Sequence, residues 1–167
     1  MLKLILNKKY NPLFSSDARY FIITGGRGSG KSFAVTVFLT LLTMTKGIRI
    51  LFTRFTMTSA HLSIIPEFLE KIGLLGFDDV FSINKAEVVN TSNQSDILFR
   101  GIRTSAGNQT ASLKSLQGIS TWVLDEAEEL VDENIFDTID LSIREKNIHN
   151  RVVLILNPVT KEHWIYK

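Results

Sequence analysis

The stretch Tyr20–Val35, YFIITGGRGSGKSFAV, decides the reading of the fold. An apolar run, Tyr20-Phe21-Ile22-Ile23, meets a turn made almost wholly of glycine, and an apolar run with helical spacing follows. Within the turn, Gly25, Gly26, Arg27, Gly28, Ser29, Gly30, Lys31 and Ser32 complete G-x-x-x-x-G-K-S, the pattern of a loop that cradles phosphates. An anionic polyphosphate needs several backbone N–H groups aimed inward. The curvature this takes includes positive φ values that glycine adopts without strain. The helix that follows adds its N-terminal donors and dipole. In such a loop Lys31 reaches the β/γ-phosphates and the Ser32 hydroxyl holds Mg²⁺. A plain glycine turn would explain neither the Lys-Ser pair nor the strand and helix flanks. In the helix, Phe33, Val37 and Leu41 fall on one stripe, with Ala34, Phe38 and Leu42 beside it.

The length of 167 residues suits one domain, residues 1–167, with enough chain for a real core. Apolar residues make up 44%, which argues against disorder. With 19 basic and 17 acidic residues the net charge is +2, so bulk charge does not announce a nucleic-acid partner, though a local patch would suffice. The chain has no cysteine, which excludes disulfides, thiolate zinc sites and thiol catalysis. Its three histidines, His61, His149 and His163, lack metal-ligand spacing. The apolar start is too short for a signal peptide, and no apolar run approaches roughly 18 residues. A non-secreted protein with no membrane segment is the expectation.

Residues 1–19 read as a lead-in with a turn at Asn11-Pro12, placed either to cover one side of a nucleotide base or simply to pack. Ile48–Thr53 reads as a buried parallel strand, with Arg54 straight after it at the C-terminal end, where ligands bind in open α/β sheets. Residues 58–72 look helical, with Pro66 breaking or starting the pattern. Phe81-Ser82-Ile83, Glu87-Val88-Val89 and Ile97-Leu98-Phe99 alternate like strands and suggest a small antiparallel insert or sheet edge. Gly101–Ser120, with Arg103 and Lys114, reads as a long polar loop. Residues 132–144 form an amphipathic helix closed by Arg144.

The second anchor is Thr121-Trp122-Val123-Leu124, an apolar run that ends in Asp125-Glu126. A nucleotide hydrolase needs a carboxylate to position Mg²⁺, which suits Asp125, and a group to orient and polarise the attacking water, which suits Glu126. The alternative is an acidic cap on the next helix. A last strand, Val152–Leu156, ends in Asn157-Pro158. Asn157 either senses the γ-phosphate and holds the water, or simply makes a turn.

Along nearly its whole length the chain resembles the N-terminal ATPase domain of the large terminase subunit of tailed bacteriophages. The matching residues are Asn11-Pro12-Leu13-Phe14, the Gly25–Ser32 loop, Arg54, Lys114-Ser115-Leu116-Gln117-Gly118, Trp122–Glu129, Arg144 and Asn157-Pro158. The resemblance implies a P-loop NTPase of the additional-strand, catalytic-glutamate type. Its sheet would be mainly parallel, with helices on both faces and the sensor strand between the P-loop and Asp-Glu strands. It implies Glu126 as catalytic carboxylate, Asn157 as sensor and coupling residue, and Arg27 acting in cis on the phosphates. ATP and Mg²⁺ are the implied cofactors. The implied partners are double-stranded DNA, held through its phosphates, a portal protein and a small terminase subunit. The assembled form would be a ring on an empty procapsid in the cytoplasm of the infected bacterium, with a monomer as the form in isolation.

Terminase large subunits also carry a nuclease domain with clustered metal-binding acids. Here Asp78-Asp79 is the only adjacent Asp pair and nothing near it completes such a site, so no nuclease activity is expected of this chain. Arg54, Arg103 and Arg144 are all candidates for an arginine finger or sensor, and spacing does not rank them. Two rival readings stand: a P-loop kinase of a small acceptor, against which Glu126 argues, and a nucleotide-binding assembly module with little turnover alone.

Overall fold

The computed structural model describes residues 4–57, 60–104, 107–108 and 110–166. A short helix α1 (Pro12–Ser15) leads into strand β1 (Tyr20–Thr24), the glycine loop and helix α2 (Lys31–Leu42). Strand β2 (Arg49–Thr56) and helix α3 (Ala60–Leu75) follow, then β3 (Phe81–Ile83), β4 (Glu87–Asn90), β5 (Asp96–Thr104) and the short β6 (Gly107–Asn108). Helix α4 (Thr110–Lys114), β7 (Thr121–Asp125), α5 (Glu133–Asp140) and β8 (Arg151–Leu156) complete the chain's main elements. They build one sheet in the order β1-β8-β7-β2-β5-β4-β3, with β6 paired to β5. The first five strands in that order are parallel, and β3, β4 and β6 run antiparallel at the edge. β8, which leads directly into Asn157, thus lies between the P-loop strand β1 and the Asp125 strand β7, as the family resemblance implies.

The central strands read as continuous apolar runs because both faces of a parallel sheet are covered. Alternate side chains serve two layers. Ile50, Phe52, Val123, Val153 and Ile155 pack with α2 and α3 on one face. Leu51, Trp122, Leu124, Val152 and Leu154 pack with Leu113 of α4 and Ile139 of α5 on the other. In the first layer Phe68 is fully buried and meets Phe52 and Phe99 at ring distances of 5.8 and 5.3 Å. Phe68→Ala is expected to lower stability by about 3–5 kcal/mol, the usual cost of such a truncation, and denaturant melts would measure it. In the second layer Phe136 lies between Trp122 and Trp164, and the Trp164 indole donates to the Leu130 carbonyl at 2.6 Å.

Several sequence expectations are corrected. α2 is buried almost all round, from Ala34 to Thr40, and Leu41 of the expected stripe is 37% exposed. The cause is that the sheet, α1 and α3 surround the helix, so no polar face is needed. Pro66 neither starts nor breaks α3 but lies inside it. Residues 58–59, where that helix was expected to begin, lie outside the described residues. β5 belongs to the parallel part of the sheet through its pairing with β2, and the antiparallel edge is formed on it by β3, β4 and β6. The supposed polar loop from Gly101 holds the end of β5, β6 and α4 among its described residues. α5 stops at Asp140, so Arg144 lies beyond it, before β8.

Candidate functional site

The site forms where β1, β8, β7 and β2 all end on the same side of the sheet. Between β1 and α2 the chain turns through Gly28 (φ 73°) and Gly30 (φ 83°), left-handed conformations that glycine adopts without cost. Gly30 caps α2, so the free N–H groups of the first helical turn face the loop. Lys31, only 9% exposed, points its ammonium back into the loop. Its Nζ donates to the carbonyls of Gly25 and Gly26, the latter at 3.0 Å, and to Asn157 Oδ1 at 3.2 Å. These are neutral acceptors, and a phosphate oxygen would compete with them strongly.

Across the cleft, β7 delivers Asp125 and then Glu126, whose left-handed backbone (φ 55°) turns the chain sharply into the 3-10 turn Ala127–Glu129. Ala127 is fully buried and pins that turn. Arg54 belongs to β2, which runs on to Thr56, rather than following the strand as expected from the sequence. Its Nε donates to Asp125 Oδ2 at 2.8 Å, its NH2 lies 2.6 Å from the same oxygen, and Glu126 Oε2 is 3.7 Å from Nε. Burial pushes the Glu126 carboxyl above its ordinary value; Arg54 opposes this, and Asp125 adds to it.

Lys31, Ser32, Arg27, Arg54, Asp125 and Glu126 thus line one cavity of about 210 Å³, with Gly28, Glu128 and Asn157 completing its wall. Arg27 is exposed at its mouth. Two other candidates do not join them. Arg103 sits over the Phe55 ring, 6.0 Å from its centroid, in a separate cleft with Glu129 and Asp132. Arg144 lines a cleft with Lys114 and Gln117 before the N-terminal end of β8, and β8 is six residues long. At roughly 3.3 Å per residue that strand separates Arg144 from Asn157 by about 20 Å.

Two residues bonded to the site were given no role by the sequence. The Tyr10 hydroxyl donates to the Ser29 carbonyl at 2.8 Å, so the lead-in does reach the glycine loop. Glu128 Oε1 accepts from Asn157 Nδ2 at 2.7 Å. Neither position carries a sequence signal: Tyr10 precedes the motif, and Glu128 is one of four acids in the five residues Asp125–Glu129.

Hard oxygen donors suit Mg²⁺, and the cavity offers the Ser32 hydroxyl and the Asp125 carboxylate. Among the described residues no cluster of three His, Cys, Asp or Glu side chains could hold a metal alone. The donor set therefore fits an ion that arrives with phosphate oxygens and water rather than one caged by protein. No described helix is long and apolar enough to cross a membrane.

No curated protein matches the sequence. The large terminase of a thermophilic bacteriophage superposes with a TM-score of 0.77 at 11% identity, covering 98% of this chain and 42% of that one. The same terminase in complex with ADP gives 0.72 at 13% identity, covering 95% and 40%. The N-terminal domain of the DNA packaging ATPase from bacteriophage phi29 gives 0.69 at 15% identity, covering 96% and 83%. The chain therefore spans about two fifths of the thermophilic phage's terminase. Identities this low establish a common fold, that of a P-loop NTPase with a mostly parallel sheet. The family model described as "Phage terminase large subunit" matches residues 17–167, which takes in the glycine loop, the Asp125-Glu126 pair and Asn157. The chain belongs to the phage terminase large subunit family.

Proposed function

We propose that residues 1–167 act as one ATPase domain, whose hydrolysis of ATP with Mg²⁺ drives double-stranded DNA into a viral procapsid. One observation carries the reading: Lys31 and the Asp125-Glu126 pair, far apart in sequence, line the same cavity. The fold-mate bound to ADP supports nucleotide as the ligand. The phi29 packaging ATPase, by its name, supports DNA packaging as the task. By family resemblance the working form is a ring on a portal protein, with a small terminase subunit as further partner, in the infected host's cytoplasm. DNA would be held through its phosphates and without sequence preference.

In this reading the loop N–H groups and the α2 N-terminus bind the phosphates, and Lys31 leaves the Gly25 and Gly26 carbonyls to join them. Ser32 and Asp125 would hold Mg²⁺, which when bound neutralises charge on the β- and γ-phosphates. Asp125 must first exchange Arg54 for that ion, so Arg54 would guard the site while it is empty. Glu126 takes a proton from the attacking water as its oxygen bonds to the γ-phosphorus and the bond to ADP breaks. Arg27, at the mouth of the cavity, would stabilise charge on the transferred group. Asn157 would sense the γ-phosphate side.

The direct test is phosphate release from ATP without any acceptor, with and without DNA. Release without acceptor supports the hydrolase; release only into a small phosphorylated product means a kinase.

The pH dependence follows from Glu126. Its carboxyl is raised, and a base must be ionised, so activity should fall as pH drops through a value above the ordinary Glu range of about 4.3. Arg54→Met removes the group that opposes the rise, so the acid limb of kcat/KM should move further up. Profiles of both proteins would show it, and an unmoved limb would contradict it. On stability the sign is reversed. The folded chain holds this proton more tightly than the unfolded one, a gain present at low pH and lost as pH climbs through the folded value.

A further inference from the structure

The Asn157 amide has two ends of opposite hydrogen-bonding capacity, and Glu128 decides which end faces the glycine loop. Asn157 Nδ2 donates to Glu128 Oε1 at 2.7 Å, and Asn157 Oδ1 accepts from Lys31 Nζ at 3.2 Å. An ionised carboxylate only accepts and an ammonium only donates. A flipped amide would set oxygen against Glu128 and N–H against Lys31, and both contacts would turn repulsive. Glu128 Oε2 is buried with no partner, so this carboxylate has no described anchor other than Asn157. We propose that Glu128 is a positioning residue, which holds Asn157 with its amide oxygen toward Lys31 so that this oxygen can orient the attacking water.

The proposal rests on the ATPase reading above. When Lys31 moves onto the phosphates, Asn157 Oδ1 loses its donor but stays aimed by Glu128, as an acceptor beside the γ-phosphate. The water then gives one O–H to Asn157 as a hydrogen bond and the other proton to Glu126. Its oxygen bonds to phosphorus as the bond to ADP breaks, and no further reactant is needed. Glu128 is also two residues from Glu126, in the turn pinned by Ala127, so the same bond ties the segment bearing the base to the end of β8.

Three variants of the full chain test this: Glu128→Gln, Asn157→Asp and the two together. Glu128→Gln permits both amide orientations, so kcat should fall about tenfold while binding of a fluorescent ATP analogue changes less than about twofold, the loss of one charge-assisted bond. Asn157→Asp sets two carboxylates in contact and should lower both kcat, by about a hundredfold, and Tm. Adding Glu128→Gln supplies a donor to Asp at position 157, with the pair's direction reversed, and should recover at least about tenfold in kcat together with Tm. A Glu128→Gln variant at wild-type kcat overturns the proposal, as does a double variant no faster than Asn157→Asp. Recovery of Tm without kcat reduces the contact to scaffolding and overturns it too. A wild-type chain that releases no phosphate overturns the ATPase reading and this proposal together. A wild type that turns over beside an unchanged Glu128→Gln variant overturns this proposal alone.

Discussion

Glu126→Ala is expected to bind ATP as tightly as the parent, within about threefold, while its phosphate release falls by about 10²–10⁴, the usual worth of a positioned general base. The expected selectivity comes from geometry. Glu126 touches Arg54 only at 3.7 Å, and Lys31, Asn157 and the loop carbonyls are bonded to one another without it. Removing its carboxylate therefore leaves the phosphate cradle intact. Alanine carries a Cβ as glutamate does, so the left-handed backbone at φ 55° is no easier for the variant, and Tm serves as the control for folding. Steady-state phosphate release beside calorimetric ATP binding separates the two quantities. Turnover at the parent rate would remove Glu126 from its role.

Lys31→Ala should fail one step earlier. Its Nζ is the cation that the loop itself encloses, and it is buried against three oxygens. Charge-assisted bonds are worth about 1.5–3 kcal/mol each. Losing contacts to two phosphate groups should therefore weaken ATP at least about a hundredfold. Direct titration with a fluorescent nucleotide measures this. Lys31→Met keeps most of the buried stem and distinguishes lost charge from lost packing. If ATP affinity survived in both variants, the nucleotide would bind elsewhere. The pair of outcomes differs in kind: one variant holds nucleotide and does not cut it, the other does not hold it.

Much of this site was legible in the sequence because its anchors are backbone devices with strict residue demands. The glycines that reach positive φ, the Lys-Ser pair and the strand ending in Asp125-Glu126 all mark themselves by type and spacing. What could not be read depends on the company an element keeps. Helix α2 gives no polar stripe because it is covered over most of its circumference, and Leu41 of the apolar stripe falls on the part left exposed. β5 pairs with β2 through seven residues, a long-range choice that no local signal encodes. The three arginines were indistinguishable by spacing because spacing does not say which end of the sheet a loop occupies. Arg54 and Arg103 both lie near the carboxyl ends of their strands, but only Arg54 pairs with Asp125, whereas Arg103 sits over Phe55 in a separate cleft and Arg144 precedes β8 at the other end. Glu128 matters through a hydrogen bond to Asn157 and Tyr10 through one to the glycine loop, long-range contacts that a linear reading cannot see.

The most direct measurement is a crystal structure of the chain with a non-hydrolysable ATP analogue and Mg²⁺. The expected result places the triphosphate in the Gly25–Ser32 loop, with Lys31 Nζ moved from the loop carbonyls to phosphate oxygens. The ion should lie between Ser32 and Asp125, with Arg54 displaced. A nucleotide bound away from that loop, or an Asp125 still paired to Arg54 beneath a bound triphosphate, would contradict it.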